Sequence, residues 1–144
     1  MRLEPLYVAR FTYPESYAVV HAEDSAFFFL AEGTVEGAIV GRLRGANHPR
    51  RRADGTFLPD FQGVIETTDA ATIAFDWRGY GRAYPEGRRQ IVGTATHLSD
   101  HPAYSRLNDV VCASVGEVIT EGASMHLVLE VAELVWEPPS GGSL

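Results

Sequence analysis

The stretch FQGVIETTDAATIAFDWRGY, residues 61–80, decides the fold. Apolar and polar side chains alternate on either side of Thr68-Asp69-Ala70-Ala71, the pattern of two strands joined by a tight turn. With a three-residue loop, Phe61, Gly63, Ile65, Thr67, Ile73, Phe75 and Trp77 share one face. Gln62, Val64, Glu66, Ala74, Asp76, Arg78 and Tyr80 then share the other, with Asp76 across from Val64. A two-residue loop would mix the sets, placing Glu66 opposite Ile73 and Asp76 opposite Gly63. Because a one-residue slip moves every side chain to the other face, clean segregation favours the first register.

The same period of two extends outward from this hairpin. Strands are expected at 3–11, ending at a turn around Tyr13-Pro14-Glu15-Ser16, and at 17–30 with an interruption near Glu23-Asp24-Ser25. A long strand follows from Ala31 to Gly45, then strands at 57–67, 72–80, 88–98, 109–119 and 124–136. Gly122 marks a hairpin, and only Pro102 to Asn108 could form a helical turn or two. The fold class is therefore all-β, with about eight strands and minimal helix. Gly33, Gly37, Gly41 and Gly45 recur on one face of the long strand. A face shaved to hydrogen can coil sharply, which favours a single closed antiparallel barrel over a sandwich. The barrel is expected to span residues 1–137, with the Pro/Gly/Ser-rich 138–144 a disordered tail.

Composition excludes several functions. The 144 residues carry a formal charge of −7, which disfavours a nucleic-acid partner. All twelve basic residues are arginine, so no lysine amine can form a Schiff base. The lone Cys112 sits in an apolar stretch and reads as a buried structural thiol. No basic-then-apolar leader opens the sequence, and the apolar run Ala26–Ala31 is too short to span a membrane. A cytoplasmic protein without a membrane partner is the expectation. His97 and His101 are separated by three residues, but one ends a strand and the other begins a loop, so no metal site is expected. No glycine-rich phosphate loop or nucleophile elbow is present, and no cofactor is expected.

The segregated hairpin leaves a fork. Either the aromatic face fills the core and Glu66, Asp76 and Arg78 meet water, or the polar face lines a ligand-holding lumen and the aromatics meet a partner. The last strand bears on the second branch, being apolar on both faces. Met125, Leu127, Leu129, Val131 and Val135 lie on one side, and Val128, Ala132, Leu134 and Trp136 on the other. A strand buried on both sides in a helix-poor chain needs an outer cover, most simply a second copy, so a homodimer is expected. The same strand carries His126 and Glu130 together, with Glu133 opposite.

The chain resembles the bacterial and fungal domain of unknown function 3237. The resemblance rests on Met1–Leu6, Gly33-Thr34-Val35-Glu36-Gly37, Ala53-Asp54-Gly55, the stretch Gly63–Ile73, the segment around Tyr104 and Leu107-Asn108, and the final strand with Glu130. Ala70 stands where that family usually has glycine, and Arg106 where it often has tryptophan. The resemblance implies a small barrel similar to lipocalins and allene oxide cyclases. Such barrels hold hydrophobic molecules or guide cyclisation, isomerisation or lyase chemistry without a cofactor. The expected function is acid–base chemistry on a small carbonyl- or phenol-bearing metabolite, with Glu66, Asp76 or Glu130 as base. Arg78, Tyr80, Glu36, His126, Tyr104 and Asn108 are the expected ligand contacts. The alternative is a non-catalytic barrel that binds a small hydrophobic ligand in the same pocket.

Overall fold

The computed structural model describes residues 1–139; most of the expected 138–144 tail lies outside the described residues. Its elements are β1 (Arg2–His21), β2 (Asp24–Gly37), β3 (Gly41–Asn47), β4 (Arg50–Arg51), β5 (Phe57–Leu58), β6 (Asp60–Thr67), β7 (Thr72–Ala83), β8 (Arg88–Leu98), β9 (Val111–Glu121) and β10 (Ser124–Val135). Among the described residues a single 3-10 turn, Ser105–Asp109, precedes β9. All pairings are antiparallel, and the eight long strands form a ring, β1-β2-β3-β6-β7-β8-β9-β10 and back to β1. The two short strands β4 and β5 form a flap beside β7, reached through the Phe57–Gly81 pair.

The alternation seen at 61–80 holds as faces. Phe61, Ile65, Ile73, Phe75 and Trp77 are buried inside the ring, joined there by Phe11, Val35, Leu43, Ile91, Leu127 and Leu129. Gln62, Glu66 and Arg78 lie on the outer surface. The register differs by two residues from expectation, since Asp76 pairs with Gln62 and Val64 with Ala74. A shift of two preserves the faces, so the pattern alone cannot distinguish these registers. The turn sets it: Ala71 N donates to Thr67 Oγ1 at 2.8 Å, Thr67 N donates to Ala71 O at 2.9 Å, and Ala70 has φ of 69°.

Two strand boundaries also differ. The turn expected at Tyr13–Ser16 is a bulge between Thr12 and Glu15, through which β1 continues. Its far half pairs only with β2, making a two-stranded arm that reaches beyond the ring, because the β10 pairing stops at Thr12. The strand expected over 31–45 is broken between Gly37 and Gly41. Gly37 has φ of 145°, a backbone that side chains disfavour.

The other glycines in this region act by absence of volume. Gly45 pairs directly with Gly63, and Gly79 with Gly93. A Cβ on Gly33 would lie 2.0 Å from the Arg10 carbonyl oxygen and 2.4 Å from Phe11 Cβ. Strands this tightly coiled leave no room for a methyl group. Gly33→Ala should therefore destabilise the barrel by at least about 2 kcal/mol in urea unfolding. Ala70→Gly should stabilise it by about 0.5 kcal/mol, because the left-handed backbone costs alanine more than glycine loses on folding.

Candidate functional site

The ring has two ends of different character. At one end, segment 99–110 folds across the opening and buries Leu107. Just inside it, Tyr7 Oη lies 2.7 Å from His97 Nε2, and Cys112 Sγ lies 4.0 Å from His97 Nδ1. All three residues are buried in the core. Burial holds His97 down at about 4 and pushes the Cys112 thiol up to about 11, helped by the Glu133 carboxylate. A thiol so raised is protonated and unreactive. Glu133, the inward carboxylate of β10, is tied by Arg106 Nη1 at 3.0 Å. This end is a filled and satisfied core.

The other end is open. Tyr13, Phe29, Asn47, Phe57, Trp77, Arg89, Ile91, Val118, Met125 and Leu127 surround a cavity of about 150 Å³, the size that admits one benzene ring. Its walls come from distant segments that meet only because the ring closes. Trp77 is fixed by its Nε1–H donating to Ser114 Oγ at 2.8 Å. Asn47 is fixed by accepting from Asp60 N at 3.0 Å, which aims its Nδ2 at Tyr13 Oη, 3.1 Å away. The Tyr13 oxygen thus accepts, and its own O–H has no acceptor among the described residues. Burial pushes this hydroxyl up to about 12 against the opposing pull of Asn47, so it stays protonated. Arg89 Nη1 donates to Gly81 O at 3.3 Å, and its guanidinium lies 4.5 Å from the centre of the Phe57 ring.

None of the residues expected from sequence lines this cavity. Glu66 and Asp76 lie on the outer face, where Arg42 is 3.8 Å from Glu66 and Arg78 stands between Asp60 at 3.5 Å and Asp76 at 3.6 Å. Their expected interior placement, shared with Arg78, is corrected: burying these three charged side chains in the lumen would cost far more than leaving them hydrated. Tyr80 is also outside, 38% exposed. Glu36 and Glu130 flank Val8 on an exposed outer cleft, and His126 sits outside beside Thr12. Tyr104 Oη donates to both oxygens of Asp69, at 3.0 and 2.9 Å, holding the closed end's loop to the hairpin. Asn108 clamps Ser99, accepting from its N at 2.8 Å and donating to its O at 3.0 Å. Both are structural ties rather than cavity walls. Among the described residues, no three His, Cys, Asp or Glu side chains cluster as metal ligands, and no helix is long and apolar enough to cross a membrane.

Sequence reasoning missed Tyr13, Asn47 and Arg89. Tyr13 lies in the stretch read as a turn and Asn47 in the following loop, and only the apolar wall containing Trp77 was visible as a pattern.

No family model matches the chain, and no curated protein matches it. Solved structures do. A β-barrel-like protein from Acinetobacter baumannii is 21% identical, with 93% of this chain and 96% of that one aligned at a TM-score of 0.77. A protein of unknown function from Clostridium acetobutylicum is 15% identical over 94% and 100% of the two chains, at 0.82. An enzyme from Penicillium herquei is 20% identical over 90% and 93%, at 0.60. At these identities the likeness establishes the barrel fold.

His97 makes the closed end sensitive to acid. Unfolded, it binds a proton near its ordinary 6.5; folded, only at about 4. Between those values the unfolded chain holds the extra proton, so stability is full above about pH 6.5 and falls by about 3 kcal/mol as the pH drops towards 4. Urea melts across that window should show this slope, and His97→Gln should flatten it relative to the parent.

Proposed function

We propose that the open end of this barrel binds a small, ring-bearing, largely apolar molecule through a carbonyl or phenolic oxygen. The single observation that carries this reading is Tyr13: a half-buried hydroxyl, oriented by Asn47, with its proton free to donate into an otherwise apolar cavity. A polar group so placed costs free energy unless a partner arrives, and a ligand oxygen is that partner. No carboxylate, imidazole or thiol lines the cavity, so the protein supplies no general base there. This supports a binding barrel ahead of acid–base catalysis by Glu66, Asp76 or Glu130. A cofactor-free isomerase, cyclase or lyase is the second reading, favoured by Tyr13 as a donor to a developing oxyanion and by the likeness to the Penicillium herquei enzyme. The family reading that goes with both is domain of unknown function 3237, supported by the motifs quoted above and by the barrel.

Trp77 reports directly on the cavity. Acetophenone, a ring with one carbonyl, should quench its fluorescence saturably in a Trp136→Phe background. Tyr13→Phe should weaken that binding roughly 5–10-fold, the value of one hydrogen bond. Asp76→Asn should change it less than about twofold and stability by less than about 0.5 kcal/mol, as befits a solvated side chain. Absence of saturable quenching would sink the pocket reading.

We also propose a homodimer built on the outer face of β10. Leu3 and Leu134 are paired neighbours there, 54% and 40% exposed, and Trp136 just beyond is 81% exposed. Burying such a patch against its own copy is the simplest cover. Sedimentation at micromolar concentration should show a dimer that Trp136→Arg shifts towards monomer.

A further inference from the structure

The chain is acidic overall, yet its open end gathers arginines. Arg50 and Arg51 lie on the flap, and Arg82, Arg88 and Arg89 lie where β7 and β8 end and begin. Arg88 is paired with Glu117 at 3.0 Å, and Arg52 nearby with Asp54. Arg51 and Arg89 have no carboxylate within ion-pair distance among the described residues, although both stand on the Phe57 ring, at 5.8 and 4.5 Å from its centre. Arg89 also lines the cavity and is half-buried, with one N–H given to Gly81 O. Two like charges on one ring, one of them half out of water, are a standing cost that an anion at the rim would relieve.

We infer that the ligand carries a carboxylate, held by Arg89 at the rim of the cavity with Arg51 behind it. This rests on the open end being the binding site. The ring would sit on Trp77 and Leu127, with the acid group outward at the guanidinium. A guanidinium fork matches the two oxygens of a carboxylate, and a single fork reaching the cavity suits a monoanion rather than a phosphate ester. The ligand class is therefore a small aromatic or alicyclic acid that also bears an oxygen for Tyr13. The field of the neighbouring arginines would draw such an anion in against the overall negative charge.

A matched pair tests this. Phenylacetate and phenylacetamide have one shape and differ in charge, and both can be titrated by calorimetry with Trp77 fluorescence confirming the location. The acid should bind roughly 10-fold or more tightly than the amide at low salt, as charge-assisted hydrogen bonds do. The ratio should shrink towards one as salt is raised. Arg89→Gln should cut it to less than about threefold, whereas Arg82→Gln, on the exposed outer side, should leave it within about twofold of the parent. Equal binding of acid and amide would overturn the inference and leave the pocket reading intact. An equal loss in Arg82→Gln and Arg89→Gln would also overturn it, showing a diffuse field in place of a site. Binding of neither compound would overturn the pocket reading and this inference together.

Discussion

Closure of the ring is the constraint on which the rest depends. Eight strands can bend back on themselves only if neighbouring backbones approach more closely than side chains allow, and here glycines meet glycines across the ladder, Gly45 with Gly63 and Gly79 with Gly93. The removed volume on the inner face is filled from elsewhere by Phe61, Phe75 and Trp77, whose rings pack edge to face about Phe61. Large and hydrogen-only positions alternate around the lumen, so the centre is solid. Because the centre is solid, a ligand has room only at an end.

The two ends divide the polar groups between them. At the closed end each buried group finds a partner: Tyr7 with His97, Glu133 with Arg106, Asn108 with Ser99. At the open end Tyr13 and Arg89 are oriented by neighbours yet keep donors over. That asymmetry, more than any residue type, is what distinguishes a core from a site.

The barrel was legible because it is written in local alternation. Residues 61–80 state which side chains share a face, and the spacing of glycines states that the strands coil. What alternation cannot state is which face turns inward or how far one strand slides along its neighbour by twos. The first was decided by desolvation, which keeps Glu66, Asp76 and Arg78 in water, and the second by the turn at Ala70, an alanine in a backbone suited to glycine. The site was not legible, because Tyr13, Asn47, Phe57 and Arg89 belong to four segments with no mutual spacing. Only the closed ring makes them neighbours.

The two-stranded arm gives the open end a different mechanical standing from the rest of the barrel. Phe29 lines the cavity where β2 is still paired with β3 through Asn47, whereas Phe27, on the stretch of β2 bonded to β1 alone, packs on Phe57 with ring centres 5.7 Å apart. A ribbon of two strands is marginal by itself and can fray while the ring stays intact. The Phe27 contact with Phe57, a cavity-lining ring, therefore rests on the least supported part of the sheet. Peeling of that ribbon would loosen the Phe57 side of the pocket at a cost well below that of unfolding the protein.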